Sequence, residues 1–98
     1  MFTGIVAVKG ILKGIRNVGG DCRLHIVCDE LDLDSAEMGD SISVSGACLT
    51  MLEPGPSGFF ADVSQETLAL TTLGRLQEGQ AVNLELALGL EARLGGHM

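Results

Sequence analysis

The sequence predicts an all-β domain, a small antiparallel barrel of six short strands with one or two minor helices, on three observations. A chain of 98 residues holds one core, since two would each be marginal, so residues 1–98 read as a single domain. Apolar residues make up 46% of the chain but only Phe2, Phe59 and Phe60 are aromatic, so the core must be built from Val, Ile, Leu and Ala. Turn signals recur every dozen or so residues, and the segments between them alternate apolar with polar at the strand period.

The elements follow in order. Phe2 to Ile15 alternates loosely, and Gly4, Gly10 and Gly14 weaken any helix there, so it reads as the first strand, bent at Gly10. Asn17-Val18-Gly19-Gly20-Asp21 is a turn, and Cys22 to Cys28 returns as a hairpin partner with Leu24 and Ile26 on one side and Arg23, His25 and Val27 on the other. Leu31 to Met38 carries Asp32, Asp34 and Glu37 and reads as a loop with at most a helical turn capped by Asp34 or Ser35. Ser41 to Val44 is a short strand ending at Gly46, Ala47 to Leu52 another, and Pro54-Gly55-Pro56-Ser57-Gly58 forces a turn into Phe59 to Val63. Ser64 is placed to cap a short helix over Gln65 to Leu70, Thr71 to Leu76 forms a further turn, and Ala81 to Leu88 is the last strand. Leu90 to Met98 ends without an obvious stop and has the look of a cut or a linker.

Charge and cysteine usage exclude several functions. A formal net charge of −7 repels phosphate backbones, and the six Lys and Arg are scattered in sequence from Lys9 to Arg93, so nucleic acid is not expected as a partner. No apolar run approaches the roughly 20 residues of a bilayer span. Cys22, Cys28 and Cys48 lack CxxC spacing and His25 and His97 are far from completing a metal site, so no metal is expected. With no secretory leader pattern at Met1, a cytoplasmic location and reduced thiols are expected, Cys22 and Cys28 packing as small apolar residues.

If the Pro54–Gly58 turn centres near Pro56, antiparallel pairing sets Cys48 opposite Ser64 and Thr50 opposite Asp62. These four polar groups then share one face, with Ala47, Leu49, Met51, Ala61 and Val63 on the other. Followed by Glu66 and Thr67, they present hydroxyls and carboxylates at a spacing suited to a polyol. The same residues have structural roles open to them: Ser64 as a helix cap, Thr50 as a β former, Asp62 as a solvated charge. Cys48 has no imidazole placed to activate it, and Asp62 with Glu66 cannot be shown to flank a bond, so ligand orientation is favoured over catalysis. No Gly-rich phosphate loop or strand-to-helix crossover points to a Rossmann nucleotide site.

MFTGIV at residues 1–6, SGACLT at 45–50, DVSQETL at 62–68, TTLG at 71–74 and the GGH ending resemble, in order, the amino-terminal half of the riboflavin synthase family. That family carries two similar lumazine-binding barrels per chain, and the resemblance covers essentially all of this one. It implies a six-stranded Greek-key barrel binding 6,7-dimethyl-8-ribityllumazine or riboflavin in a shallow surface site. The implied contacts are Gly4, Ile5 and Val6, whose backbone would read the imide edge of the heterocycle; Cys48 and Leu49 as soft packing; Thr50, Asp62, Ser64, Glu66 and Thr67 as hydrogen-bonding partners of the ribityl hydroxyls; and Val63 and Gln65 within the same contact segment. Catalytic residues are left unassigned, with Cys48 as the one possible contributor.

The family reaction passes a four-carbon unit between two lumazines, giving riboflavin and 5-amino-6-ribitylaminouracil with no cofactor or metal. It implies a homotrimer of two-barrel chains, each active site lying between barrels of neighbouring subunits so that two bound rings meet. A second repeat, and the histidine-bearing segment after the first barrel, fall beyond Met98. The expectation is therefore a lumazine- or flavin-binding half with little or no turnover alone, pairing as a homodimer. The alternative is a non-catalytic carrier of lumazine or flavin on the same barrel.

Overall fold

A computed structural model describes residues 7–29, 31–33, 37–86 and 93–94. Gly4, Ile5 and Val6, and the cap expected at Asp34 or Ser35, lie outside these residues. Strand β1 (Ala7–Val18) turns through Gly19 and Gly20 into β2 (Asp21–Val27). Both glycines take positive φ, 59° and 95°, which a tight two-residue hairpin requires and a side chain resists. β1 is longer than Ile15 because it serves two partners: Ala7 to Ile11 pairs with β8 (Ala81–Leu86), and Ile11 to Val18 with β2. The register shifts at Lys13, between Leu12 and Gly14. The Ile15 amide next to this bulge is satisfied by Glu78 Oε2 at 2.9 Å.

The expected six strands are present, all antiparallel, as β1, β2, β4 (Ser41–Val44), β5 (Ala47–Thr50), β7 (Gly58–Val63) and β8, with β6 (Leu52–Gly55) a short continuation of β5. The sheet order is β5-β4-β8-β1-β2-β7-β6. Its two edges, β5 and β6, are therefore successive pieces of one stretch of chain, and β5 also lies against β7. A sheet whose edges are one bent strand is a closed Greek-key barrel. Met51 is the seam: it is wholly buried, its N–H donates to Asp40 O at 2.8 Å, and its carbonyl accepts from Gly39 N at 2.8 Å.

Three expectations change. Leu31 to Met38 is not all loop, because Leu31–Asp32 forms β3. The segment expected as a linker supplies its partner β9 (Arg93–Leu94), paired antiparallel. The cations scattered in sequence are less so in space: of the six, Lys9, Lys13 and Arg16 lie on β1 and Arg23 on β2.

The core is aliphatic, as the composition requires. Leu12, Leu24, Ile26, Ile42, Val44, Met51, Ala61, Val63, Val82, Leu84 and Leu86 surround one aromatic, Phe59. The strand period sorts them, so β7 alternates buried Phe59, Ala61 and Val63 with Phe60 and exposed Asp62. Gly58 sits where β7 leaves its turn and crosses closely over β2: a Cβ there would collide with the carbonyl oxygen of Ile26. Backbone cannot yield as a side chain tip can, so this position admits only glycine.

Candidate functional site

The strand alternation puts Cys48, Thr50, Asp62 and Ser64 at the surface and Ala47, Leu49, Met51, Ala61 and Val63 inside, the two faces expected from the sequence. The pairing that produces this arrangement is different from the expected one. Cys48 stands opposite Ser43 and Thr50 opposite Ser41, both on β4, while Asp62 stands opposite Arg23 on β2. The hairpin centre near Pro56 does hold as far as Leu52 opposite Phe60. Beyond Leu52 the chain bends at the barrel seam, where Met51 turns to Asp40 and the strand exchanges β7 for β4. A long regular hairpin would have left the barrel open.

Cys48 is exposed, while Cys28 is buried with its Sγ donating to Lys9 O at 3.6 Å. Leu49 and Val63 point into the core, 6% and 1% exposed, so their side chains cannot supply the surface packing expected of Leu49. Asp62 is not a free acceptor. Arg23 Nε donates to its Oδ1 at 2.6 Å and the terminal guanidinium nitrogen to Oδ2 at 3.0 Å, a bidentate pair. These hydrogen bonds from Arg23 hold the Asp62 carboxyl below the usual carboxylate range, against the cost of its slight burial.

Ser64 caps helix α1 (Gln65–Leu70): its Oγ accepts from Thr67 N at 3.2 Å and its hydroxyl donates to Thr67 Oγ1 at 3.1 Å. Thr71 closes the helix, donating to Thr67 O at 2.7 Å, and opens a 3-10 turn (Thr72–Arg75) by accepting from Leu73 N at 3.2 Å. α1 buries no residue of its own, and Leu73 anchors the segment in the core. A Cβ on Gly74 would strike the carbonyl oxygen of Leu68, so that glycine lets the turn pack against the helix end.

Between this segment and the tight β4–β5 turn at Ser45–Gly46 lies a groove of about 520 Å³. Ser45 takes φ 48° and is held to β8, its amide donating to Asn83 O at 2.7 Å and its Oγ accepting from Asn83 N at 3.2 Å. Leu68, Ala69 and Leu70 give the groove an apolar wall, and Thr72 and Arg75 give it polar groups. Three sequence motifs meet in it: SGACLT begins with Ser45–Gly46, DVSQETL ends at Leu68, and TTLG supplies Thr71, Thr72 and Gly74. Nothing periodic in the sequence marks Thr71, Thr72 and Arg75 for ligand contact, because single hydroxyls and one Arg carry no such signal. Among the described residues no group of His, Cys, Asp and Glu is placed to hold a metal ion, and no helix is long and apolar enough to cross a membrane.

A closed all-β barrel with an exposed polar strip and an adjoining groove defines a small-ligand-binding module. Residues 3–87 match the model of the lumazine binding domain, and the chain belongs to that family. It is 42% identical over 98 residues to riboflavin synthase of Photobacterium phosphoreum, covering all of this chain and 45% of the relative. With riboflavin synthase of Mycobacterium tuberculosis it shares 46% over 99 residues, 49% of that protein, and with that of Bacillus subtilis 39% over 97 residues, 45% of that protein. The chain thus spans about half the length of these relatives.

Proposed function

We propose that this domain binds 6,7-dimethyl-8-ribityllumazine and riboflavin as the amino-terminal barrel of a riboflavin synthase. In the whole protein two lumazines would exchange a four-carbon unit to give riboflavin and a ribitylaminopyrimidine. The reading is carried by the family match, which spans the strands bearing the exposed strip at Cys48, Thr50, Asp62 and Ser64. That strip supplies what the ligand needs: hydroxyls, a soft thiol and a carboxylate on a rigid barrel, with a groove beside it. In this reading Thr50, Ser64, Gln65, Glu66 and Thr67 face the ribityl chain, Cys48 packs against the ring, and Leu49 and Val63 contribute backbone only. Gly4, Ile5 and Val6 bind the imide edge. Asp62 acts through its second lone pairs or by holding Arg23.

A single barrel brings only one ring to a site that needs two, so these 98 residues alone would turn over little or nothing. The domain would pair as a homodimer, the whole enzyme assemble as a homotrimer, and both act in the cytoplasm. Titrating the protein into riboflavin should quench the flavin fluorescence to saturation, and light scattering should give a dimer mass. Absence of quenching at any protein concentration would refute the binding function; a strict monomer with ligand present would refute the pairing alone.

A further inference from the structure

The groove between the Ser45–Gly46 turn and the α1–3-10 segment has a chemical character that the binding strip lacks. The chain carries 13 Asp and Glu against six Lys and Arg, yet among the described residues no carboxylate lines this groove. Its one charged group among the described residues is Arg75, exposed at the end of the 3-10 turn. Among the described residues Arg75 makes no hydrogen bond or ion pair, in contrast to Arg23, whose guanidinium is committed to Asp62. Thr71 spends its hydroxyl hydrogen on Thr67 O, while Ser45 Oγ accepts from Asn83 N, so among the described residues Thr72 and Arg75, with the Ser45 hydroxyl hydrogen, are the groove's unused side-chain donors. A guanidinium stays charged at every working pH and presents a fork of donors matched to an oxyanion. The groove's 520 Å³ is within the usual range for a small ligand, about 300 to 1,000 Å³. It adjoins the residues placed on the ribityl chain, because Leu68 follows Thr67 and Gly46 precedes Ala47 and Cys48.

We propose that this groove is an anion subsite continuous with the flavin site, in which Arg75 and Thr72 receive a phosphate carried on the end of the polyol tail. The domain accordingly prefers riboflavin 5′-phosphate to riboflavin. The proposal rests on the flavin-binding function above, and it concerns which member of that ligand class is selected.

Parallel fluorescence titrations with riboflavin and with riboflavin 5′-phosphate test it, using the wild-type protein, Arg75→Gln and Arg75→Lys. One charge-assisted, partly exposed contact predicts about five- to tenfold tighter binding of the phosphorylated flavin. The ratio should fall below about twofold in Arg75→Gln and recover in part in Arg75→Lys, which keeps the charge but loses the fork. It should also shrink as salt is raised toward about 0.5 M. Equal affinities for the two flavins in the wild type, or a preference that survives Arg75→Gln in protein with an unaltered circular dichroism spectrum, would overturn the subsite while leaving flavin binding intact. Failure of both flavins to bind would remove the function and the subsite together.

Discussion

At the scale of single residues, Asp62 shows how a group can be placed correctly and still be given a different partner. It lies on the exposed face, as the alternation of β7 requires, but its carboxylate faces β2 and is held by Arg23. The pair has a pH signature. Hydrogen bonds from Arg23 lower the folded-state pKa of Asp62 below its unfolded value near about 3.9. A depressed carboxyl pKa adds stability that is complete above the unfolded pKa and is lost as pH falls through the folded one. The wild type should therefore lose more stability than Asp62→Asn on acidification from about pH 5 to pH 2, read as the shift in urea midpoint. Both partners are partly exposed, so the difference should be small and should shrink in salt. Identical acid limbs for the two proteins would show that the pair contributes nothing in solution.

At the scale of elements, α1 is held by its ends. It is six residues long, too short to persist on intrinsic propensity, and it buries none of them. What fixes it is the Ser64 cap at one end and Thr71 with the Leu73 anchor at the other. Ser64→Ala removes the acceptor for Thr67 N and should cost the helix about 1 kcal/mol. Because α1 meets the core through one partly buried side chain, Leu68, and buries none fully, the loss should be mostly local. Amide exchange across Gln65–Leu70 should quicken several-fold while the thermal midpoint of the barrel barely moves. Unchanged exchange there would mean the helix is held by something other than its cap. The same economy explains why this element was readable in advance: a Ser before a short polar run, with Thr71 and Gly74 after it, is a local signal that no distant contact overrides.

At the scale of the whole molecule, the barrel depends on one bend. The stretch from Ala47 to Gly55 starts on β4 and finishes on β7, and Met51 joins the two halves with its side chain in the core and both backbone groups paired to the Gly39–Asp40 turn. Met51→Ala leaves a void at that seam and should cost about 2–5 kcal/mol in urea denaturation. A loss under about 1 kcal/mol would indicate that the two sheet edges are not closed on each other there. Closure also bears on the site, since it brings the exposed face of β5 beside that of β7 although the two strands share no ladder.

The sequence by itself determined the all-β class, six strands, the hairpin turn at Gly19–Gly20, the α1 cap and which side chains of Ala47–Thr50 and Phe59–Val63 face inward. Each of these follows from a neighbour a few residues away or from the fixed two-residue period of a strand. Only the tertiary structure decided which strand meets which. Cys48 paired with Ser43 rather than Ser64, Asp62 with Arg23 rather than Thr50, and Leu31–Asp32 with Arg93–Leu94. Pairing between segments is settled by how a sheet closes and fills its core, a condition on the whole chain that no local pattern carries. The groove beside Arg75 belongs to the same class of fact, since it exists only where the Ser45–Gly46 turn and the α1–3-10 segment come to face each other.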